Sequence, residues 1–387
     1  LKRLALFCDG TWNDPDSDTN VSRLKTWVAD QDEHGVTQQA KYILGVGVKA
    51  FERLSGGAVG KGLSANVLEG YRWLTENYDD GDEIYLFGFS RGAYTARSIA
   101  GIIVKYGLLR RGPSVVMQPE EVFERYRSGK SRRPIYAVER EITAHRPITP
   151  DERKLLDNSR RVPIHMIGVW DTVGALGIPW THAPLIGRGN FYFHNTNPSV
   201  LFKHAFQAIA IDEQRGPYKP TLWTKFTPDV ADLAPFPTPP STELPPVIQQ
   251  RWFVGAHCNV GGGYVNDRLR DIPLAWIQNK AEAAGLAFTD RVSLSGNEYE
   301  GPYTDSYKAF MMGLFRMVST RFFRPMGAGP RKVAGGTSVP IEEWIDASVF
   351  EKVRGDPDYR PANLVEFARL RGIDLEGVRT DLRASPD

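Results

Sequence analysis

Ser90 stands between two glycines in Gly88-Phe89-Ser90-Arg91-Gly92, which makes it a candidate nucleophile. A free serine hydroxyl attacks a carbonyl carbon only when a base takes its proton and donors receive the charge that develops on oxygen. The chain offers a base at His257, in Gly255-Ala256-His257-Cys258-Asn259, just before the triple glycine 261–263. It offers an acid at Asp171, in Val169-Trp170-Asp171-Thr172. An imidazole between a hydroxyl and a carboxylate accepts the serine proton, while the carboxylate fixes the tautomer and steadies the imidazolium. That chemistry is acyl transfer, the hydrolysis of a carboxylic ester through an acyl-serine. The order Ser90, Asp171, His257 along the chain is one in which such triads occur. Donors for the oxyanion are the backbone N–H of Arg91 and an N–H at Gly10 or Thr11, in the loop after the first strand. Asp212, in Asp212-Glu213-Gln214-Arg215, is the competing acid. It ranks second because the run 198–210 before it reads as a helix.

Such side chains work only if secondary structure brings them to one place. Residues 84–87 read as an apolar strand, and the stretch after Gly92 as a helix rich in small residues. A serine at the tip of a sharp strand-to-helix turn has a strained backbone and an exposed hydroxyl; glycine at 88 and 92 avoids collisions there. Ala93 and Ala96 let the helix lie close to the sheet, and its N-terminus aims free N–H groups at developing negative charge. Further strands are predicted over 4–7, 42–48, 162–170 and 249–254. An amphipathic helix is predicted over 63–78, with Leu63, Val67, Leu68, Tyr71, Leu74 and Tyr78 on one face. The alternation predicts an α/β fold, a mostly parallel central sheet flanked by helices. In open sheets of that kind ligands bind beyond the C-terminal ends of the strands, where Ser90, Asp171 and His257 all fall.

Other segments are less telling. Gly-rich 56–62 is not a phosphate loop, because Ser55 replaces the first glycine and Gly62 the metal-holding Ser or Thr; it reads as a flexible loop. Asp9-Gly10-Thr11 resembles an aspartyl-phosphatase start, but Phe7 stands where a second aspartate is required, and Asp9 reads equally as an Asx-type turn. A helix is predicted over 271–284, capped by Asp271. The run 306–323, with its aromatics, methionines and basic residues, fits a helix packed on the core or one touching lipid.

Of 387 residues, 41% are hydrophobic and 24% charged, enough for a large core, and one domain with insertions is the simplest arrangement. Segments 110–161 and 215–248 are the candidate cap insertions, and 300–387 reads as a helical C-terminal region. A net charge of +2 gives no polyanion signal, so nucleic acid is not expected as a partner. Two cysteines, Cys8 and Cys258, suit a reducing compartment. The first apolar run is too short for a signal peptide, and no stretch reaches the length of a membrane span. Cytoplasmic localisation is expected, with any export by a route independent of a signal peptide. No cofactor or metal is expected, since two cysteines and scattered histidines do not make a zinc site.

Taken together, Phe7-Cys-Asp-Gly-Thr-Trp-Asn, Gly88-Phe-Ser-Arg-Gly-Ala-Tyr, Val169-Trp-Asp-Thr-Val-Gly-Ala, Ile211-Asp-Glu-Gln-Arg and Gly255-Ala-His-Cys-Asn-Val-Gly-Gly-Gly-Tyr resemble one family. It is the α/β-hydrolase family that contains the phospholipase effectors of bacterial type VI secretion together with stand-alone relatives. The resemblance implies a Ser-Asp-His esterase, with phospholipase activity in some members and a lipid or other ester as substrate, met at a membrane surface. It carries Ser90 over as nucleophile, Asp171 as acid and His257 as base. The chain departs from the family at Cys258-Asn259, where Ser-Asp is usual; an aspartate that orients the loop or a metal would be missing here. The long extra regions with which injected effectors dock on membranes are not apparent, which points to a stand-alone hydrolase, and no secretion or immunity partner is indicated by the residues. Two alternatives stay open. One is a non-catalytic module of the same fold that binds lipid or a secretion partner; the other is a metal-dependent phosphoesterase on Asp9, Asp171 and His257.

Overall fold

A computed structural model describes residues 1–10, 13, 15–45, 56–128, 132–173, 192–194, 202–228, 247–309, 320–333 and 336–385. The first half of the chain alternates strand and helix: β1 (Arg3–Cys8), α1 (Asn20–Trp27), β2 (Gln38–Ile43), α2 (Gly56–Asn77), β3 (Glu83–Phe89) and α3 (Arg91–Tyr106). A helical excursion follows, α4 (Pro119–Arg127), α5 (Ile135–Thr143) and α6 (Pro150–Asn158), held by the short pair β4 (Leu108–Leu109) and β5 (Ser159–Arg160). The sheet then resumes with β6 (Ile164–Trp170), β8 (Phe202–Ala210) and β10 (Val247–Phe253), with β7 (Tyr192–His194) and β9 (Thr224–Pro228) between them in a smaller sheet. After β10 come α7 (His257–Gly261), α8 (Asp271–Ala283), α9 (Ser306–Ala309), β11 (Arg331–Val333), β12 (Gly336–Pro340), β13 (Glu343–Ile345), α10 (Ala347–Gly355), α11 (Ala362–Arg371) and β14 (Leu382–Arg383).

Eight of these strands form one sheet in the order β14-β13-β10-β8-β6-β3-β1-β2. Every pairing is parallel except the antiparallel edge pair β13–β14. The alternation along β1 explains the layers: Leu4, Leu6 and Cys8 face α2 and α3, whereas Ala5 and Phe7 face the opposite layer, where α1 and α8 pack. Both faces of the inner strands are covered, and β1, β3 and β6 are apolar nearly throughout, whereas β2, β8 and β10 carry polar residues among their apolar ones. Gly168 has no side chain because a Cβ there would lie 3.1 Å from both the Phe87 ring and Ile277. A third cluster, built from Ile209, Trp252, Val349, Phe350 and Leu364 among others, seats α10 and α11.

The mostly parallel sheet flanked by helices is the architecture read from the sequence, with local differences. The run 202–210 is the strand β8 rather than part of a helix; Phe202, Ala205, Phe206, Ala208, Ile209 and Ala210 are buried on alternate faces of the sheet interior, a pattern that a short apolar run shares with a buried helix. The glycine-rich stretch expected as a loop opens α2, which begins at Gly56. The C-terminal region is not only helical, since β13 extends the main sheet alongside β10. Segment 110–161 contributes Met117, Val122, Phe123, Ile135 and Leu155 to the apolar layer of α2 and α3. α8 is preceded by Arg270 as its N-cap, and Asp271 instead pairs with Arg23 at 2.6 Å. Of the run 306–323, residues 310–319 lie outside the described residues. No helix among the described residues is long and apolar enough to cross a membrane.

Candidate active site

The chain runs from β1 outward to β2 at the edge, returns to β3 on the other side of β1, and proceeds through β6, β8 and β10 in the opposite direction. This reversal opens a crevice beyond the ends of β1 and β3, where Gly10 and Ser90 lie. Backbone pairing continues past the strands into the loops. Ser90 N–H donates to the Trp170 carbonyl at 3.0 Å, Asp171 N–H to Ala208 at 2.7 Å and Ile211 N–H to Phe253 at 3.0 Å. The sheet thus fixes the height of each loop residue at its C-terminal rim.

Ser90 caps α3 with φ 58° and ψ −121°, a conformation that L side chains rarely adopt. The glycines around it are required by contact rather than by their own torsions. A Cβ on Gly92 would lie 2.1 Å from the Cys8 carbonyl oxygen and 2.5 Å from that of Asp9; one on Gly88 would lie 2.7 Å from the Ala93 backbone. α3 therefore presses its first turn against the end of β1. Gly92→Ala must separate the two, and overpacking of this kind costs about 1–3 kcal/mol or more. A denaturant titration should show that loss; a variant within about 0.5 kcal/mol of the parent would mean the helix can shift freely.

His257 opens the short helix α7, after a three-residue turn that follows the end of β10 at Phe253. Its Nε2 lies 2.7 Å from Ser90 Oγ and its Nδ1 2.5 Å from Asp171 Oδ2. The imidazole sits between the Phe89 ring, centroid 4.6 Å away, and the Tyr218 ring at 5.0 Å. Gly261 has no Cβ because one would lie 1.9 Å from the Phe89 ring. Asn20 Nδ2 donates to the Val260 carbonyl at 2.9 Å, tying this turn to α1. Asn259 holds it from within: its Oδ1 accepts from the Ala256 N–H at 3.0 Å and the Thr304 N–H at 3.1 Å, and its Nδ2 donates to Asp267 at 3.0 Å. An aspartate at 259 would set two carboxylates face to face, so the asparagine suits this chain's own neighbour at 267.

Ser90, His257 and Asp171 are 6%, 3% and 0% exposed. Burial pushes the imidazole of His257 below its ordinary range, against the opposing pull of Asp171 and Glu213. Burial would raise Asp171, but the Arg324 guanidinium and the hydrogen bond from His257 hold it well below the usual carboxylate range. Arg324, itself fully buried, donates from Nη1 to Asp171 Oδ1 at 2.5 Å and from Nη2 to Oδ2 at 3.0 Å. A second buried pair lies beside the first: Arg215 donates through Nε and Nη2 to the two oxygens of Glu213, both at 2.8 Å, and Glu213 accepts the His257 N–H at 3.3 Å. Arg324 cannot be singled out by spacing in a chain with 48 lysines and arginines, whereas Arg215 falls within the Ile211-Asp-Glu-Gln-Arg segment that carries the resemblance.

Asp212, the competing acid, accepts the Gly255 N–H at 2.7 Å and the Tyr359 hydroxyl at 2.9 Å, and burial pushes it up to about 6. It thereby anchors Gly255, whose φ of 107° begins the turn to His257. The ground on which it ranked second, a preceding helix, does not hold, because β8 precedes it. Arg91 occupies the first position of α3, where an N–H has no partner within the helix. Gly10 lies against the serine, since a Cβ on it would be 3.3 Å from Ser90 Cβ. Its N–H, however, donates to Asp9 Oδ1 at 2.6 Å and is not free to receive an oxyanion. The buried Asp9 carboxylate gathers that donor together with Thr19 Oγ1 and the Tyr42 hydroxyl, at 2.5 and 2.6 Å. Thr11 lies outside the described residues. Among the described residues no group of three or more His, Cys, Asp and Glu side chains could hold a metal ion.

Against known proteins, residues 2–280 match the family model described as T6SS, Phospholipase effector Tle1-like, catalytic domain. The uncharacterized protein YEL023C of Saccharomyces cerevisiae is 25% identical over 344 residues, covering 84% of this chain and 47% of its own length. A crystal structure of an uncharacterized protein from Pseudomonas aeruginosa aligns at 16% identity and TM-score 0.37, over 82% of this chain and 51% of that one. The Tle1 effector bound to the VgrG spike from the type 6 secretion system aligns at 16% identity and TM-score 0.36, over 68% and 51%. The chain spans about half the length of these relatives. The family match covers well over half of the chain, and the protein belongs to the family of Tle1-like phospholipase effector catalytic domains of type VI secretion.

Proposed function

We propose that the protein is a serine hydrolase that cleaves carboxylic esters of lipids through Ser90, His257 and Asp171, on an α/β-hydrolase-type domain. The observation that carries this reading is the continuous hydrogen-bonded line from Ser90 Oγ through both imidazole nitrogens to the Asp171 carboxylate. His257 takes the Ser90 proton as Oγ attacks the ester carbonyl; Asp171 steadies the imidazolium; the alcohol leaves with the proton returned by His257. Water then attacks the acyl-serine by the same route in reverse order of bonds. The Arg91 N–H, at the positive end of α3, is the donor for the oxyanion on the nucleophile side. The second donor expected at Gly10 or Thr11 is not assigned, because Gly10 N–H is held by Asp9 and Thr11 lies outside the described residues. Family membership supports a lipid ester as substrate and a secretion partner; we further propose contact with a membrane surface and synthesis in the cytoplasm. Of the candidate cap segment 215–248, residues 229–246 lie outside the described residues, while Arg215 and Tyr218 lie beside His257.

The test is labelling with a fluorophosphonate probe together with release of fatty acid from phospholipid vesicles and of nitrophenol from p-nitrophenyl esters. Labelling at Ser90 with ester turnover is the expected result; a folded protein that neither labels nor turns over would leave only a binding module. The base must be neutral to act, so activity is present above the His257 pKa and lost as pH falls through it. Because burial lowers that pKa, the acid limb of kcat/KM should lie below the ordinary imidazole value of about 6.5.

A further inference from the structure

We infer that Arg324 is a positioning residue for this reaction, clamping Asp171 so that its Oδ2 faces His257 and tempering the negative charge the imidazole feels. The inference rests on the ester-hydrolysis reading of Ser90, and the residue lies beyond the family-matched span of 2–280. The fork of Arg324 meets both carboxylate oxygens of Asp171 while the same two nitrogens also donate to the carbonyls of Ala210, at 2.8 Å, and Tyr218, at 2.5 Å. The guanidinium is thereby fixed to the end of β8 and to the loop bearing Tyr218, and Asp171 cannot rotate without breaking two charge-assisted bonds. Asp171 has φ 39°, and its Oδ1 also accepts the Ala210 N–H at 3.0 Å, so its rotamer is defined from three directions.

Arg324 does not act alone in this. The chain after residue 280 also reaches three further polar groups near His257: Ser306 Oγ donates to Glu213 at 2.9 Å, Thr304 N–H to Asn259 at 3.1 Å, and the Tyr359 hydroxyl to Asp212 at 2.9 Å. The charged and titratable groups that act on the imidazole are Asp171, Glu213 and Arg215, with the Tyr218 ring 5.0 Å away; Arg324 lies behind Asp171, Arg91 acts on Tyr218, and Cys258 is influenced by Arg215 and Glu213. The four charges form two pairs of zero net charge, both buried. An isolated buried carboxylate next to an imidazole would favour the imidazolium strongly; a carboxylate already paired favours it less. The base thus remains neutral and competent to lower pH while keeping a fixed hydrogen-bond acceptor behind it.

The experiment is the titration of His257 followed by NMR of the 13C-labelled imidazole, assigned with His257→Gln, in parallel with pH profiles of p-nitrophenyl ester hydrolysis. Arg324→Met removes the charge at similar volume. It should raise the His257 pKa and the acid limb of kcat/KM together by about one unit, and lower kcat by about 10- to 100-fold. Arg324→Lys keeps the charge but not the fork; its acid limb should stay in place while kcat falls about tenfold. A Met variant whose imidazole titrates as in the parent would overturn the inference, as would a Lys variant that shifts as far as Met. Should the Met variant fail to fold, the Lys variant decides: wild-type kcat sinks the proposal, and a reduced kcat on an unmoved limb supports it. The NMR titration reads the imidazole whether or not esters are cleaved, so absence of ester turnover in the parent would count against Ser90 and not against the Arg324–Asp171 clamp.

Discussion

Ser90→Ala should bring ester turnover to background while leaving the protein folded. The alanine keeps the Cβ and the φ of 58°, so the turn between β3 and α3 is unchanged. Only Oγ is lost, and with it the atom 2.7 Å from His257 Nε2. Removal of the nucleophile from such a triad costs on the order of 10⁶-fold in kcat, with a residue of catalysis left by oxyanion donors and binding. Hydrolysis of p-nitrophenyl esters and of phospholipid vesicles measures the loss, and thermal unfolding checks the fold. Undiminished turnover in the alanine variant would remove Ser90 from the chemistry altogether.

Asp171→Asn is expected to fail twice. An asparagine presents an amide where His257 Nδ1–H needs an acceptor with charge, and the corresponding change in a serine protease triad costs about 10⁴-fold in kcat. In an ordinary triad that is a purely catalytic loss. Here the substitution also strands Arg324, which is 0% exposed and has Asp171 as its carboxylate partner. Removing one member of a buried ion pair typically costs about 3–5 kcal/mol, because the remaining charge stays out of water. Equilibrium unfolding in denaturant should reveal that loss alongside the kinetic one. Adding Arg324→Met to Asp171→Asn should restore stability in part, since the orphaned charge is gone, and should restore no activity. If Asp171→Asn unfolds at the parent's denaturant midpoint, the pair has little energetic weight and water reaches Arg324.

The two predictions differ in how far the residues involved could be read from the chain. Ser90 is legible because its requirements are local. The glycines at 88 and 92, the apolar run before them and the small residues after them lie within a dozen positions, and the collisions they avoid are with adjacent turns or the neighbouring strand. β1, β3 and β6 are legible for a related reason: strands buried on both faces leave an apolar run bounded by polar turns. β8 shows the limit. Phe202–Ala210 holds Lys203, His204 and Gln207 among its apolar residues, and that mixture suits a helix face as well as a strand whose polar residues lie at one end or pair within the sheet. Gln207 does the latter, donating to Gln250 Oε1 at 3.0 Å on β10.

The alternation of strands and helices, and the placing of a serine, an aspartate and a histidine at strand ends, can be read from the chain because each follows from interactions within a turn or two. That alternation in turn implies a mostly parallel sheet. The sequence also leaves Asp171 and Asp212 as rivals, since an acid's partner depends on what lies across the sheet. It takes the folded chain to bring Asp171 to His257 and Arg324, Asp212 to Gly255 and Tyr359, and Gly10 N–H to Asp9. Arg324 lies 153 positions from Asp171 along the chain and is one arginine among many by composition. Its pairing is set by desolvation: folding buries both charges in the same small volume, where each is tolerable only in the presence of the other.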